Sequence, residues 1–151
     1  SLADRIVFTG KIDEFFGYQF GYLEYRSLKF DHEVHDGDYQ GNAVVNYTDY
    51  EVPYTRIVEH KHFQPQTAAD IKKTVITKEY PQDWTPEKVP YYPVNDNNNR
   101  ILSHKYKSYL IKQKNKKIIF GGRLADYAYY DMDMTISAAL KKFDSIKKNL
   151  K

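Results

Sequence analysis

The hydrophobic pattern of this chain changes its period near Asn95, and the change limits the folds that are open to it. Before that point, apolar residues occur in short runs or alternate with polar residues, which is typical of strands with one solvated face. After it, Ile101, Tyr106 and Leu110 recur at helical spacing. Strands followed by helices predict an α+β fold, with a mostly antiparallel sheet and C-terminal helices.

The strand-like region predicts strands over residues 5–8, 22–30, 43–47, 55–63 and 74–80, with one helical turn over residues 11–16. A turn is expected at residues 35–38. Four prolines between residues 81 and 93 predict an irregular loop. Beyond it we expect a helix capped by Asn95 or Asp96, a short strand over residues 118–120, and a last helix that starts near Asp131.

Composition excludes several classes of protein. The chain has 151 residues, enough for one core. Its net charge of +3 is spread along the sequence, whereas nucleic-acid binders usually carry a dense basic stripe. The absence of cysteine excludes disulfides and thiolate metal sites. No apolar run reaches the length of a membrane span, and the first residues do not resemble a signal peptide, so a cytoplasmic location is predicted.

Tyrosine is unusually common, with 15 residues. A phenol ring offers a flat apolar face and one hydroxyl, which suits a site for sugars or phosphates. The alternative is that many of these rings lie on a half-solvated sheet, where aromatic residues are frequent.

Two motifs offer groups that could bind a diphosphate. Arg56 follows Pro53 and Tyr54 where a hairpin corner enters a strand, and a guanidinium there could clamp a diphosphate through paired hydrogen bonds. The alternative for Arg56 is a surface ion pair. Tyr92 lies in a loop stiffened by flanking prolines, which could hold its hydroxyl at a fixed angle or could serve packing alone.

Two further motifs concern cofactors and metals. A short apolar strand precedes Gly122 and Arg123, and a helix follows that begins near Asp131, so glycine backbone and helix amides would meet where an oxygen-rich ligand can dock. His60 and His62 alternate as on one face of a strand. No third ligand follows at a useful spacing, so we predict a solvated face and no metal site.

Three segments together resemble the C-terminal part of the UDP-galactopyranose mutases, a family of flavoenzymes. They are residues 42–61, residues 89–93, and residues 122–133 with the strand before them. The resemblance extends from Ile6 to about Leu140. A glycine-rich Gly-x-Gly-x-x-Gly motif is absent. The chain is therefore expected to be a fragment of a larger flavoprotein, with a substrate-binding sheet over residues 1–94 and a helix–strand–helix region over residues 95–151 that closes the flavin site.

The resemblance also assigns individual residues. It implies that Arg56, Tyr92 and Tyr129 contact the substrate diphosphate and that Asn46 lies near the nucleotide. The implied flavin contacts are Thr9, Gly10, Gly122, Arg123, Tyr129, Asp131 and Met132. No side chain is implied as the nucleophile, because N5 of reduced FAD attacks the sugar in this family.

The function implied is that of an isomerase, which interconverts UDP-galactopyranose and UDP-galactofuranose for cell-wall polysaccharide biosynthesis. The fragment alone is expected to bind no FAD and to be inactive. The expected partner is UDP-galactose, with no nucleic acid and no membrane, and a homodimer is left open. Two alternatives remain at this point: a non-catalytic sugar-nucleotide-binding module and a structural partner domain.

Overall fold

The computed structural model describes residues 3–113 and 117–148 of the chain, which form an α+β fold. The strands are β1 (Ile6–Phe8), β2 (Tyr25–Asp36), β3 (Val44–Asn46), β4 (Arg56–Glu59), β5 (Lys73–Asp83), β6 (Tyr92–Pro93) and β7 (Ile118–Phe120). The helices are α1 (Ile12–Phe15), α2 (Pro65–Ala68), α3 (Asn97–Lys112) and α4 (Met132–Lys148), with a 3-10 turn at His60–Phe63. Two compact units divide the chain: residues 1–26 with 90–151, and residues 27–89.

The first unit is built on a parallel pair of strands. β1 pairs with β7, so that Ile6, Val7 and Phe8 lie opposite Ile118, Ile119 and Phe120. The first two residues of β2 pair in the antiparallel sense with β6. Phenylalanine rings from α1 and the two parallel strands pack edge to face, a geometry that aromatic pairs prefer. These rings join α1 to the parallel pair.

Buried polar groups hold the helices of the first unit in place. Asp96 caps α3 by accepting a hydrogen bond from the Asn99 backbone amide at 2.7 Å, which confirms one of the two predicted caps. Tyr106 of α3 is fully buried, and its hydroxyl donates to the Gly21 carbonyl at 2.7 Å. Asp13 of α1 is also fully buried, and its carboxylate accepts from the Leu23 amide at 3.0 Å. Each buried polar atom named here has a partner, as stable interiors require.

The second unit is a sheet with the strand order β3-β4-β5-β2. β4 lies antiparallel to both β3 and β5. Ile57 on β4 and Ile76 on β5 are fully buried and form part of its apolar core. Most of its other buried residues are polar: Ser27, Glu59, Thr74, Thr77 and Glu79.

Three of the strands end at residues other than those predicted. β2 continues to Asp36, into the first two residues of the expected turn. Its alternation of half-buried and exposed residues explains why charged side chains are tolerated there. β5 includes Pro81, which we expected in an irregular loop; proline is compatible with a strand where its missing N–H is not needed. β4 ends at Glu59, where the chain passes into the 3-10 turn, and the buried Glu59 carboxylate accepts from the amides of Tyr39 and Gln40.

The early end of β4 also corrects the prediction for the two histidines. His60 and His62 lie on the 3-10 turn and not on a strand, so their side chains do not share a strand face. The His60 imidazole contacts the Thr77 hydroxyl at 2.7 Å, whereas the His62 Nε2 atom lies near Asp38 and Glu59.

The last helix begins at Met132, close to the expected start. None of its residues is buried, and apolar side chains predicted to share one face are largely exposed, including Ile136, Leu140 and Phe143. Among residues 3–113 and 117–148, no helix is long and apolar enough to cross a membrane.

Candidate functional site

The carboxyl ends of β1 and β7 meet at one edge of the parallel pair. The Gly121 amide donates to the Phe8 carbonyl at 3.1 Å, just where both strands end. Gly122 has φ of +91°, a conformation that favours glycine, and a Cβ atom placed on it would lie 3.8 Å from the Thr9 Cβ atom. The structure therefore brings Thr9 and Gly122 together. This edge of parallel strands is where ligands of α/β proteins commonly bind.

Gly10, the next residue on the β1 side, has no room for a side chain. A Cβ atom there would lie 2.8 Å from the tip of the Phe8 ring. The glycine thus permits the ring to fold back against the strand end, where it packs on Phe120. This packing is a structural reason for Gly10, beside the flavin contact that the family resemblance implies.

Arg123 is the centre of an aromatic cluster in the first unit. Its guanidinium carbon lies 5.0 Å from the centre of the Tyr92 ring and 5.6 Å from that of the Tyr129 ring. The two rings stack on one another, with their centres 5.6 Å apart and their planes 25° apart. A guanidinium at this distance is attracted by the negative ring faces. Three predicted site residues from two separate segments of the sequence therefore form one cluster.

Backbone carbonyls fix the arginine in this cluster. Its two terminal nitrogens donate to the carbonyls of Tyr91 and Tyr130, each of which adjoins one of the clustered tyrosines. Because a guanidinium is planar and rigid, these two bonds set its orientation and connect the two tyrosine segments.

Tyr127 anchors the segment that carries Tyr129. Its φ of 41° is a left-handed conformation that is uncommon for a residue with a side chain. The ring is buried, and its hydroxyl donates to the Glu24 carbonyl at 2.6 Å. Burial raises the pKa of this hydroxyl, which therefore stays protonated and remains a donor.

The remaining flavin-contact predictions lie at the start of α4. Asp131 is exposed, and its carbonyl accepts the first intrahelical bond from the Thr135 amide at 2.9 Å. Met132 is 86% exposed, and Tyr129 is 57% exposed. The start of α4 thus exposes the side chains of Asp131 and Met132 to solvent.

Asn46 and Arg56 lie in the second unit, directly opposite one another on β3 and β4. Cross-strand partners point to the same face with Cβ atoms about 5 Å apart, so the two side chains are neighbours. The Arg56 Nε atom donates to the Glu79 carboxylate at 2.7 Å. The ion pair that the sequence offered as the alternative for Arg56 is therefore present, with Glu79 buried and the Arg56 side chain 37% exposed.

The site residues therefore fall into two groups, one in each unit. Convergence of Arg56 with Tyr92 and Tyr129 on one diphosphate stays a prediction. Two residues that the sequence did not single out adjoin the groups: Glu79 beside Arg56, and Arg26 opposite Tyr92. Glu79 and Arg26 are identified by the register between strands, because the alternation of residues within one strand does not predict which residues of the next strand lie opposite.

Comparisons with known proteins agree with the resemblance. The profile of a family described as UDP-galactopyranose mutase matches residues 1–129. A protein of Klebsiella pneumoniae named "Probable UDP-galactopyranose mutase" is 44% identical over 93% of this chain and 35% of its own length. A dTDP-fucopyranose mutase of Escherichia coli is 41% identical over 91% of this chain and 36% of its own length. A UDP-galactopyranose mutase of Mycoplasma genitalium is 36% identical over 91% of this chain and 34% of its own length. The chain thus spans about a third of the length of these relatives.

Proposed function

Because the chain belongs to the UDP-galactopyranose mutase family, we propose that it is the C-terminal part of a flavin-dependent isomerase. The whole protein would interconvert UDP-galactopyranose and UDP-galactofuranose in the cytoplasm, for cell-wall polysaccharide biosynthesis. This chain would supply groups that contact the diphosphate and the flavin. The observation that carries the proposal is the Arg123, Tyr92 and Tyr129 cluster beside the ends of the parallel strands.

The residues at the strand ends suit an FAD molecule. Gly122 presents backbone without a side chain, Thr9 offers a hydroxyl beside it, and the start of α4 offers amides to an anionic or oxygen-rich part of the ligand. Asp131 and Met132 are exposed at that helix start. When bound, reduced flavin supplies the nucleophile that displaces UDP from the anomeric carbon of the sugar.

This chain's own task in the reaction is to position and neutralise the departing diphosphate. Negative charge grows on the diphosphate as the bond to the sugar breaks, so cations and hydroxyl donors placed there lower the barrier. Arg56 with Asn46, and the phenols of Tyr92 and Tyr129, would supply these groups. Arg26 is exposed and shares a face with Tyr92, so it would add a further cation.

A second substrate is supported by a specific observation. The dTDP-fucopyranose mutase matches this chain nearly as well as the Klebsiella protein does. The two substrates that the names describe share a nucleoside diphosphate and a hexose, and the residues proposed here address the diphosphate. We therefore infer that dTDP-fucopyranose is the second candidate substrate. Family membership disfavours a non-catalytic binding module.

The proposal is tested by removing only the phenol hydroxyls. In the whole protein, Tyr92→Phe and Tyr129→Phe keep the stacked rings but delete a donor to the charged diphosphate. A hydrogen bond to a charged group contributes about 1.5–3 kcal/mol, so kcat/KM for UDP-galactofuranose should fall roughly 10- to 100-fold in each variant.

The matched control is Tyr50→Phe, because Tyr50 is fully exposed in a turn of the other unit. It should leave kcat/KM unchanged. If the variants at positions 92 and 129 behave like the control, these tyrosines do not touch the substrate. Rates with dTDP-fucopyranose measured in parallel decide between the two substrates.

A further inference from the structure

In the part of the chain that the structure describes, a cluster of metal-ligating side chains lies outside the proposed substrate and flavin contacts. Asp38, Glu59 and His62 of the second unit each offer one ligand atom, and these atoms lie within 4.8 Å of one another. The His62 Nε2 atom is buried and has no hydrogen-bond partner among the described residues. A buried polar atom without a partner costs free energy, so this nitrogen indicates that a further group binds here.

The spacing of the three atoms suits a metal ion better than it suits direct hydrogen bonds. His62 Nε2 lies 3.4 Å from Asp38 Oδ1 and 3.5 Å from Glu59 Oε1. Hydrogen bonds from nitrogen to oxygen are usually 2.7–3.2 Å long. Ligands held about 2.0–2.2 Å from a tetrahedral metal ion are about 3.4 Å apart, which is close to the two separations measured from His62 Nε2.

The Glu59 carboxylate is held in place by the protein itself. It accepts hydrogen bonds from the backbone amides of Tyr39, Gln40 and Gly41 at 3.0, 2.9 and 3.1 Å. These three donors fix the position of the carboxylate beside His62.

Lys61 reduces the net negative charge of the three-residue cluster. Its ammonium contacts Asp38 Oδ1 and donates to the carbonyls of Gly37 and Ile71. Two carboxylates and one ammonium contribute a net charge of −1, which favours a divalent cation but binds it more weakly than a site without the lysine would.

A cavity gives access to the cluster. It has a volume of about 520 Å³, and its lining includes Asp38, Lys61, His62, Ala68 and Ile71. An ion and its water ligands fit within this volume.

We propose that Asp38, Glu59 and His62 bind a divalent transition-metal ion, with water completing the coordination. One imidazole and two carboxylates form a donor set that suits Zn²⁺ and related ions. The ion would join the turn after β2, the end of β4 and the 3-10 turn, and it would stabilise the second unit independently of the mutase reaction.

The test is a calorimetric titration of the metal-stripped chain with Zn²⁺ at neutral pH. The wild-type chain should bind one ion, and the ion should raise its melting temperature. His62→Gln and Asp38→Asn should each weaken binding at least about tenfold and remove the thermal shift. Circular dichroism checks that each variant is folded.

His60→Gln is the matched control, because it removes a second imidazole from the same 3-10 turn whose Nε2 atom contacts Thr77 instead. This variant should bind Zn²⁺ as the wild type does. Absence of saturable binding to the wild-type chain would overturn the proposal. Equal weakening by His60→Gln and His62→Gln would also overturn it, because the ion would then lie elsewhere.

Discussion

Two arginines of the candidate site are held by different partners, and the partners decide what a substitution will do. Arg123 donates to two backbone carbonyls, so its replacement leaves neutral acceptors behind. Arg56 donates to the carboxylate of buried Glu79, so its replacement leaves a negative charge without this donor. A buried charge that loses its partner is costly, and any kinetic test of Arg56 must separate that cost from catalysis.

We predict that Arg56→Ala lowers turnover of the whole protein by orders of magnitude, because a charge-assisted contact to the departing diphosphate is lost. Lysine should rescue only part of the activity, since a point charge cannot reproduce the bidentate fork. Steady-state conversion of UDP-galactofuranose by the reduced enzyme measures this effect.

The double variant Arg56→Ala/Glu79→Gln removes the buried charge and should restore stability without restoring turnover. Arg100→Ala is the matched control, because Arg100 is exposed on α3. Wild-type rates in a folded Arg56→Ala variant would exclude Arg56 from the active site.

The lowered pKa of Glu59 predicts that the free energy of unfolding decreases in acid. Its folded pKa of about 2 lies below the usual 4.5, so its contribution is fully present above pH 4.5 and is lost as the pH falls towards 2. The shift corresponds to roughly 3 kcal/mol. Denaturant unfolding of the chain between pH 7 and pH 2.5, with a chelator present, should show this loss. Glu59→Gln should be less stable at pH 7 and less sensitive to acid; an unchanged pH profile would contradict the assignment.

At the scale of the element, α4 illustrates how a helix can be attached by few contacts. Its apolar side chains are largely exposed, including Met132, Ile136 and Leu140. Lys142 reaches the strand end instead: its ammonium contacts the Phe120 carbonyl and lies 2.8 Å from the Asp126 carboxylate. One lysine therefore ties α4 to β7 and to the segment after it.

We predict that Lys142→Met loosens this attachment. The loss of two hydrogen bonds from a charged donor should cost about 1 kcal/mol at this half-exposed position, and backbone amides of α4 should exchange with solvent about fivefold faster. Hydrogen exchange followed by mass spectrometry measures this. Lys141→Met is the control, because Lys141 is exposed. Equal exchange rates in the two variants would show that Lys142 does not anchor the helix.

At the scale of the whole molecule, the parallel pair of β1 and β7 is unusual because part of it is exposed to solvent. Parallel sheets are usually covered on both faces, yet Ile6 and Val7 are 55% and 65% exposed. The chain spans about a third of the length of its relatives, and its sequence holds no glycine-rich βαβ motif. The flavin contacts proposed for this chain would thus form only one side of a site.

We therefore predict that the purified chain alone binds little or no flavin, because pyrophosphate amides and one wall of the cleft are missing. The preparation should be colourless, and added FAD should keep the absorbance and fluorescence of free flavin. A yellow preparation with one flavin per chain would show that this prediction is wrong.

The sequence by itself determined the local structure and the chemistry of single residues. Alternation and helical spacing depend on neighbours in the chain, so they predicted an α+β fold, the Asp96 cap, β1, β7 and the start of α4. The family resemblance, which compares residues one by one along the chain, selected Tyr92, Gly122, Arg123 and Tyr129.

Only the tertiary structure decided which of these residues meet. The Arg56 and Glu79 pair depends on the register of two strands, and the Arg123 cluster depends on segments about 30 residues apart in sequence. The surroundings of His62 depend on where β4 ends and on the buried Glu59 carboxylate, which is held by amides from another loop. Such contacts join residues that are far apart in the sequence. Local patterns describe only neighbouring residues, so they could not predict these contacts.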